Sequence, residues 1–198
     1  MKIFDLIAPA YGLFYGYQKR HFNEVLDGVQ NELDFSIYSN IIDIGCGTGA
    51  FCSVLHQRGF VVTGTDNSQK MLHIAAKKQE NKAIEFVHAN VLDRLPFGDK
   101  SFDVSFTSYV AHGLKPEERK IMYKEMSRIT KRLIIIHDYN EKRSVLTDIA
   151  EWLEGGDYFN FIKIVKSELK NSFYDVSEIK VDPQASWYIC KPRDQYIL

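Results

Sequence analysis

Cysteine is scarce in this sequence, and what there is does not pair. Cys46, Cys52 and Cys190 form neither an even set nor a Cys-x-x-Cys spacing, which argues against a secreted disulfide scaffold and against a zinc ribbon. A reducing cytoplasm is the expectation. An excess of one charge is missing too: 25 Lys and Arg stand against 26 Asp and Glu, so no net field draws the chain to nucleic acid, an anionic membrane or an acidic partner. No stretch approaches the roughly 20 apolar residues that cross a bilayer, and Met1-Lys2-Ile3-Phe4-Asp5 puts an acid where a signal peptide has its apolar run. Neither a nucleic-acid partner nor a membrane span is expected. His21, His56, His73, His88, His112 and His137 are scattered without a His-Glu-x-x-His spacing, so no metal site is expected.

What is present suits an ordinary globular domain. With 198 residues, 45% of them hydrophobic and 26% charged, the chain is the size of one domain with a substantial core. The segment Phe4 to Tyr17 crowds Tyr11, Phe14, Tyr15 and Tyr17 around Gly12 and Gly16. Those glycines predict something other than a simple regular helix, either a strip packed on the core or a substrate-covering lid. From His21 to Leu33 the apolar positions Phe22, Val25, Leu26, Val29 and Leu33 recur at helical spacing. Short apolar runs then alternate with helical patterns: strands at 40–44, 60–65, 84–87, 102–107 and 133–136, with helices after the first, second and fourth. This alternation predicts an α/β fold, doubly wound, with a mostly parallel seven-stranded sheet and helices on both faces. Beyond residue 136 come two helical stretches, Val145 to Leu153 and Tyr158 to Leu169, split by Gly155-Gly156. Two β-like runs around Asp182-Pro183-Gln184 then predict a C-terminal antiparallel hairpin.

The strongest local signal is Asp43-Ile44-Gly45-Cys46-Gly47-Thr48-Gly49, between a strand and a helix. Glycine lets the backbone turn tightly and approach a ligand, and the helix N-terminus offers unpaired N–H groups. Read with Ala50, the stretch also satisfies the dinucleotide fingerprint, and Asp66 lies about 20 residues on, where that fingerprint expects its ribose acid. An NAD(P)-binding Rossmann oxidoreductase is therefore a competing reading.

The run Ile41 to Gly49 closely resembles the first motif of class I, Rossmann-like S-adenosylmethionine-dependent methyltransferases. The likeness continues through Thr65-Asp66 with Ser68 to Leu72, then Ala89-Asn90 through Leu95-Pro96-Phe97, then Ser101-Phe102-Asp103. The resemblance implies a cofactor, S-adenosyl-L-methionine, leaving as S-adenosyl-L-homocysteine. It implies that Asp43 receives the cofactor's ammonium through water and that the backbone of Gly45, Cys46, Gly47 and Gly49 passes its methionine and ribose. Asp66 would grip the ribose hydroxyls. Asn90 would receive the adenine amino group, the N–H of Val91 a ring nitrogen, and Met71 would pack on the base. Thr107 would end the fourth strand beside the methionine. Asn67 stands where the family often has an apolar residue against the base, and Asn90 where Asp is commoner. Asp5 to Tyr11 is similar to the opening of small-molecule and quinone-type members, in which the tyrosine nears the cofactor carboxylate, a role that passes to Tyr11.

On this reading residues 1–198 are one methyltransferase domain: 1–35 a helical cap, 36–140 the cofactor-binding core, 141–170 a helical insertion and 171–198 the hairpin. The acceptor is expected to be a small molecule, with Tyr11, Phe14, Tyr15, Trp152, Tyr158 and Phe159 as its lining. A sulfonium is already an activated electrophile, so transfer needs an aligned nucleophile and exclusion of water. A base helps only where the nucleophile must lose a proton. His112, His137 and Asp138 are the candidates, because they follow strand ends. A cofactor-binding module that transfers nothing is the third reading.

Overall fold

The described residues of the computed structural model are 2–145, 147, 148 and 155–193, with side chains described from residue 12 onward. Its strands are β1 (Asn40–Ile44), β2 (Val61–Asp66), β3 (Glu85–His88), β4 (Phe102–Ser108), β5 (Thr130–Tyr139), β6 (Asp175–Lys180) and β7 (Ala185–Lys191). The helices are α1 (Lys2–Val29), α2 (Ala50–Gln57), α3 (Gln69–Lys77), α4 (Pro116–Ile129) and α5 (Tyr158–Ser172), with 3-10 turns at Gln79–Asn81 and Ala111–Gly113. The seven strands form one sheet in the order β3-β2-β1-β4-β5-β7-β6. β1 pairs parallel with β2, β2 with β3 and β4 with β5, while β7 runs antiparallel to both β5 and β6. The α/β class and the C-terminal hairpin are as expected. The chain divides into two compact halves, Met1–Pro96 and Phe97–Leu198.

In the first half, Ile41, Ile42, Asp43 and Ile44 are all buried, the pattern of an interior parallel strand covered on both faces. A side chain on Gly64 of β2 would come within 2.8 Å of the Phe86 ring and 2.9 Å of Cys46 Sγ, so only glycine lets β3 and the loop after β1 close on β2. α2 buries Phe51, Cys52, Val54 and Leu55. Ser68 caps α3 by accepting the Met71 N–H at 3.2 Å, which turns Met71, Leu72 and Ala75 inward.

The N-terminal segment departs from expectation. It is one helix of 28 residues, running through both Gly12 and Gly16. Tertiary packing overrides the local propensity here. Phe22, Val25, Leu26 and Val29 are buried, with the Phe22 ring 4.8 Å from that of Phe51. Farther up the helix, the buried Tyr15 hydroxyl reaches Asn81 Oδ1 at 3.4 Å, and the Lys78 ammonium lies 4.4 Å from the Tyr15 ring. Tyr15 is thus a latch between α1 and the end of α3. Phe14 faces solvent.

In the second half, β5 runs ten residues where the apolar run predicted four. Its pairing with β7 continues from Ile134↔Cys190 to Tyr139↔Ala185, so His137, Asp138 and Tyr139 are strand residues although they end the hydrophobic pattern. α4 inserts Met122, Tyr123, Met126 and Ile129 into the core. Arg119, also on α4, is fully buried. Its guanidinium holds Glu168 of α5 through two bonds, at 2.7 and 3.0 Å, and reaches Asp157, the residue before α5, at 2.9 Å as well as the Leu114 carbonyl. The helical stretch predicted at Val145 to Leu153 falls largely outside the described residues, and so does Trp152.

Candidate active site

The first half builds a cradle where β1 turns into α2. Gly45, Gly47 and Gly49 all adopt positive φ, at 75°, 53° and 75°, a region that residues with a Cβ enter only at a cost. At Gly49 packing adds a second constraint, since a Cβ there would sit 3.0 Å from each of Ala75, Asn81 and Phe86. At Gly47 the reverse holds: nothing lies within 4 Å of where its Cβ would be, so the backbone borders open space.

Most of this loop's amides are engaged within the protein. The N–H groups of Gly45 and Cys46 both donate to the Thr65 carbonyl, at 2.8 and 2.9 Å, and that of Gly49 to the Cys46 carbonyl at 2.9 Å. The Gly47 N–H donates to Asp66 Oδ2 at 2.9 Å, while the Ser68 N–H donates to Asp66 Oδ1 at 2.8 Å. Asp66 is half-buried at the end of β2. A carboxylate is an acceptor through both oxygens, the chemistry that a ribose diol calls for, and the backbone fixes this one in place. A pyrophosphate, in contrast, needs amides that point outward, and four of this loop's are taken.

Asp43 is the unusual member of the cradle. It is buried on β1, its Oδ2 accepts the Cys52 thiol at 3.3 Å, and its Oδ1 has no hydrogen-bond partner. Burial pushes its pKa up to about 7, the Cys52 thiol pulls it down and the nearby Asp66 charge raises it. A buried carboxyl with an orphaned oxygen favours a cation. The fit is therefore to a ligand carrying an ammonium at this end and a diol at the Asp66 end. S-adenosylmethionine carries both, whereas the anionic pyrophosphate of a dinucleotide would meet a buried acid.

Around this centre, the Asn67 side is exposed and its carbonyl accepts from His88 Nε2 at 3.1 Å. Met71 is core, at 3% exposure. Asn90 Oδ1 accepts the Leu92 N–H at 3.1 Å, which fixes the turn after β3, and Val91 beside it is half-buried. Tyr11 lies on α1, with its side chain outside the described atoms. Thr107 is fully buried on β4, in the second half. The sequence pattern pointed to Asp43 but not to Cys52, nine residues on and in the first turn of α2; its spacing from Asp43 was the only available signal.

The second half sets a different cluster at the carboxyl ends of β4 and β5. Asp138 is fully buried. Its Oδ1 lies 2.7 Å from His112 Nδ1 and accepts the Tyr139 N–H at 2.8 Å, and its Oδ2 accepts the His112 N–H at 3.2 Å. His137 is fully buried as well, with Nδ1 3.3 Å from the Ser108 hydroxyl. Tyr109 stands in the left-handed region at φ 53° and its N–H donates to the His137 carbonyl at 2.8 Å. Strain of this kind collects at functional sites. Its ring lies 4.8 Å from that of His137 and 5.2 Å from that of Tyr139, and the Tyr139 ring lies 4.9 Å from those of His112 and Tyr158. The three acid–base candidates thus separate: Asp138 orients His112, and His137 is a packed ring.

The family model for a methyltransferase domain matches residues 42–135. The chain is 26% identical over 188 residues to an uncharacterized methyltransferase of Staphylococcus carnosus, covering 92% of this chain and 88% of that one. The chain belongs to the class I S-adenosylmethionine-dependent methyltransferase superfamily. It is 29% identical over 182 residues to a malonyl-[acyl-carrier protein] O-methyltransferase of Buchnera aphidicola, covering 90% of this chain and 65% of that one. Its fold is that of magnesium protoporphyrin IX methyltransferase from Synechocystis, solved with S-adenosylhomocysteine bound, at TM-score 0.64 and 19% identity over 90% of this chain and 84% of that one. The methyltransferase reading thus prevails over the oxidoreductase one.

Proposed function

We propose that this methyltransferase holds S-adenosylmethionine in the cradle of its first half and methylates a small-molecule acceptor in the cytoplasm. The observation that carries the reading is Asp43, a buried acid with one oxygen left for a cation, one glycine turn away from an Asp66 already braced for a diol. Asp43 would receive the ammonium and Asp66 the ribose hydroxyls. The backbone from Gly45 to Gly49, with Cys46 and Gly47, would pass the chain between them. Asn67, Met71, Asn90 and Val91 would border the adenine, and Tyr11 the methionine. Bound there, the cofactor supplies a methyl group activated by its sulfonium.

On the acceptor side, His112 is the group to take a proton. Asp138 at 2.7 Å from Nδ1 favours the tautomer with hydrogen on Nδ1, which leaves Nε2 as the basic nitrogen. Malonyl-acyl-carrier protein and magnesium protoporphyrin IX, named as substrates of the relatives, support a small or carrier-borne acceptor without choosing one. The family match crosses the boundary between the two halves, which supports reading the chain as one domain. Three free cysteines support a reducing compartment. Among the described residues no helix is long and apolar enough to cross a membrane.

The test is calorimetric titration with S-adenosylmethionine, S-adenosylhomocysteine and NAD. Both adenosyl ligands should bind and NAD should not. Asp66→Ala removes the acceptor of two hydroxyl bonds to a charged group and should weaken binding by roughly 100-fold or more. Binding of NAD alone would overturn the reading.

A further inference from the structure

Asp43 is not simply buried; it is held by a thiol. Cys52 lies on the first helical turns of α2, fully buried, and its Sγ sits 3.3 Å from Asp43 Oδ2. Burial and the Asp43 charge both raise the thiol's pKa well above its ordinary value. The sulfur therefore stays protonated and remains a donor throughout the physiological range. A thiol is a weak donor. It fixes which carboxylate oxygen is engaged while giving the anion only part of the stabilisation that a hydroxyl would give.

We propose that Cys52 is a positioning residue for the cofactor's amino group: its thiol ties back Oδ2 of Asp43 and leaves Oδ1 to receive the ammonium. This rests on the cofactor reading above. The titratable groups facing Asp43 are Cys52 from α2, Cys46 from the glycine turn and Asp66 from the end of β2. Neither thiol ionises near neutrality, because burial raises both. The ionisation that cofactor binding senses there is that of Asp43 itself, and the thiol sets where it falls. An ammonium binds the carboxylate and not the neutral acid. Affinity should therefore rise with pH through the range in which Asp43 ionises.

The experiment titrates S-adenosylhomocysteine into wild type, Cys52→Ala and Cys52→Ser from pH 6 to pH 8.5, with a thermal melt of each variant to confirm folding. Cys52→Ala removes the thiol donor to Asp43, so binding at pH 7 should weaken about tenfold and the rise in affinity should move to higher pH. Cys52→Ser supplies a stronger donor, so it should restore binding and move the rise to lower pH. Should the alanine variant not fold, the direction of the serine shift decides alone. Equal affinities with one shared pH profile overturn the proposal, and so does an equal, pH-independent loss in both variants, which is the signature of packing alone. If wild type fails to bind S-adenosylhomocysteine at all, the cofactor reading falls first, and that result is distinct from either.

Discussion

Replacing Asp43 by Asn should change the stability of the ligand-free protein in a way that depends on pH. Burial raises the Asp43 pKa from 3.8 to about 7. Below the unfolded value the carboxyl is neutral in both states and exacts no penalty. As pH rises, the unfolded carboxyl ionises while the folded one resists, so stability is lost through the window between the two values and the loss is complete above the folded one. At about 1.4 kcal/mol per unit, the full penalty is about 4 kcal/mol, of which roughly 1.5 is already present at pH 5. Between pH 5 and pH 8 wild type should therefore lose about 3 kcal/mol that the Asn variant keeps. The amide has its own cost, an unsatisfied NH2 of about 1–3 kcal/mol, but that cost does not vary with pH and cancels in the difference. Urea unfolding at the two pH values reads it directly. The variant should be near or below wild type at pH 5, more stable at pH 8, and gain less stability than wild type from S-adenosylhomocysteine at pH 8. A variant-minus-wild-type difference that stays constant within about 0.5 kcal/mol would refute the reasoning, since Asp43 would then ionise as freely in the folded protein as in the unfolded.

Two further substitutions test the scaffold around the site. Gly49→Ala combines a φ of 75° with three neighbours 3.0 Å from the new Cβ; it should destabilise by roughly 2 kcal/mol or more and weaken S-adenosylhomocysteine binding, and a melting temperature equal to wild type would count against the packing described. Arg119→Met leaves Glu168 and Asp157 without the guanidinium that joins them, an expected loss of about 3–5 kcal/mol in urea unfolding, whereas a loss under 1 kcal/mol would mean that solvent replaces the clamp.

The cofactor half was legible because its chemistry is written in backbone demands. Gly45, Gly47, Gly49 and Gly64 each answer a positive φ or a close approach, and such demands leave the same residue at the same spacing wherever the turn occurs. Asp66 stood out from its place at the end of a strand, whereas Asp43 was marked only by the resemblance of its motif to the methyltransferase family. Helix α1 was misread because Gly12 and Gly16 lower local helix propensity, while the packing of Phe22 and Tyr15 that offsets it is long-range. β5 was read short for the same reason. The partners of Ile134 to Tyr139 lie about fifty residues away on β7, and no local window contains them. The His112–Asp138 pair was the least legible: the two residues are 26 apart and meet at 2.7 Å only because the 3-10 turn after β4 folds back to the end of β5.

The two acids of the cradle also explain each other. Asp66 has both oxygens accepting backbone N–H groups and is half-exposed. It is satisfied without a ligand, which suits an acid proposed to meet an uncharged diol. Asp43 has a weak thiol donor and no water-facing surface to relieve it, so its charged form calls for a cation and its neutral form for a proton. A sulfonium cofactor and its neutral product share the same ammonium and the same ribose, so neither acid distinguishes the two. Recognition of substrate over product must come from the region around the sulfonium. Removing either acid should therefore weaken S-adenosylmethionine and S-adenosylhomocysteine by the same factor.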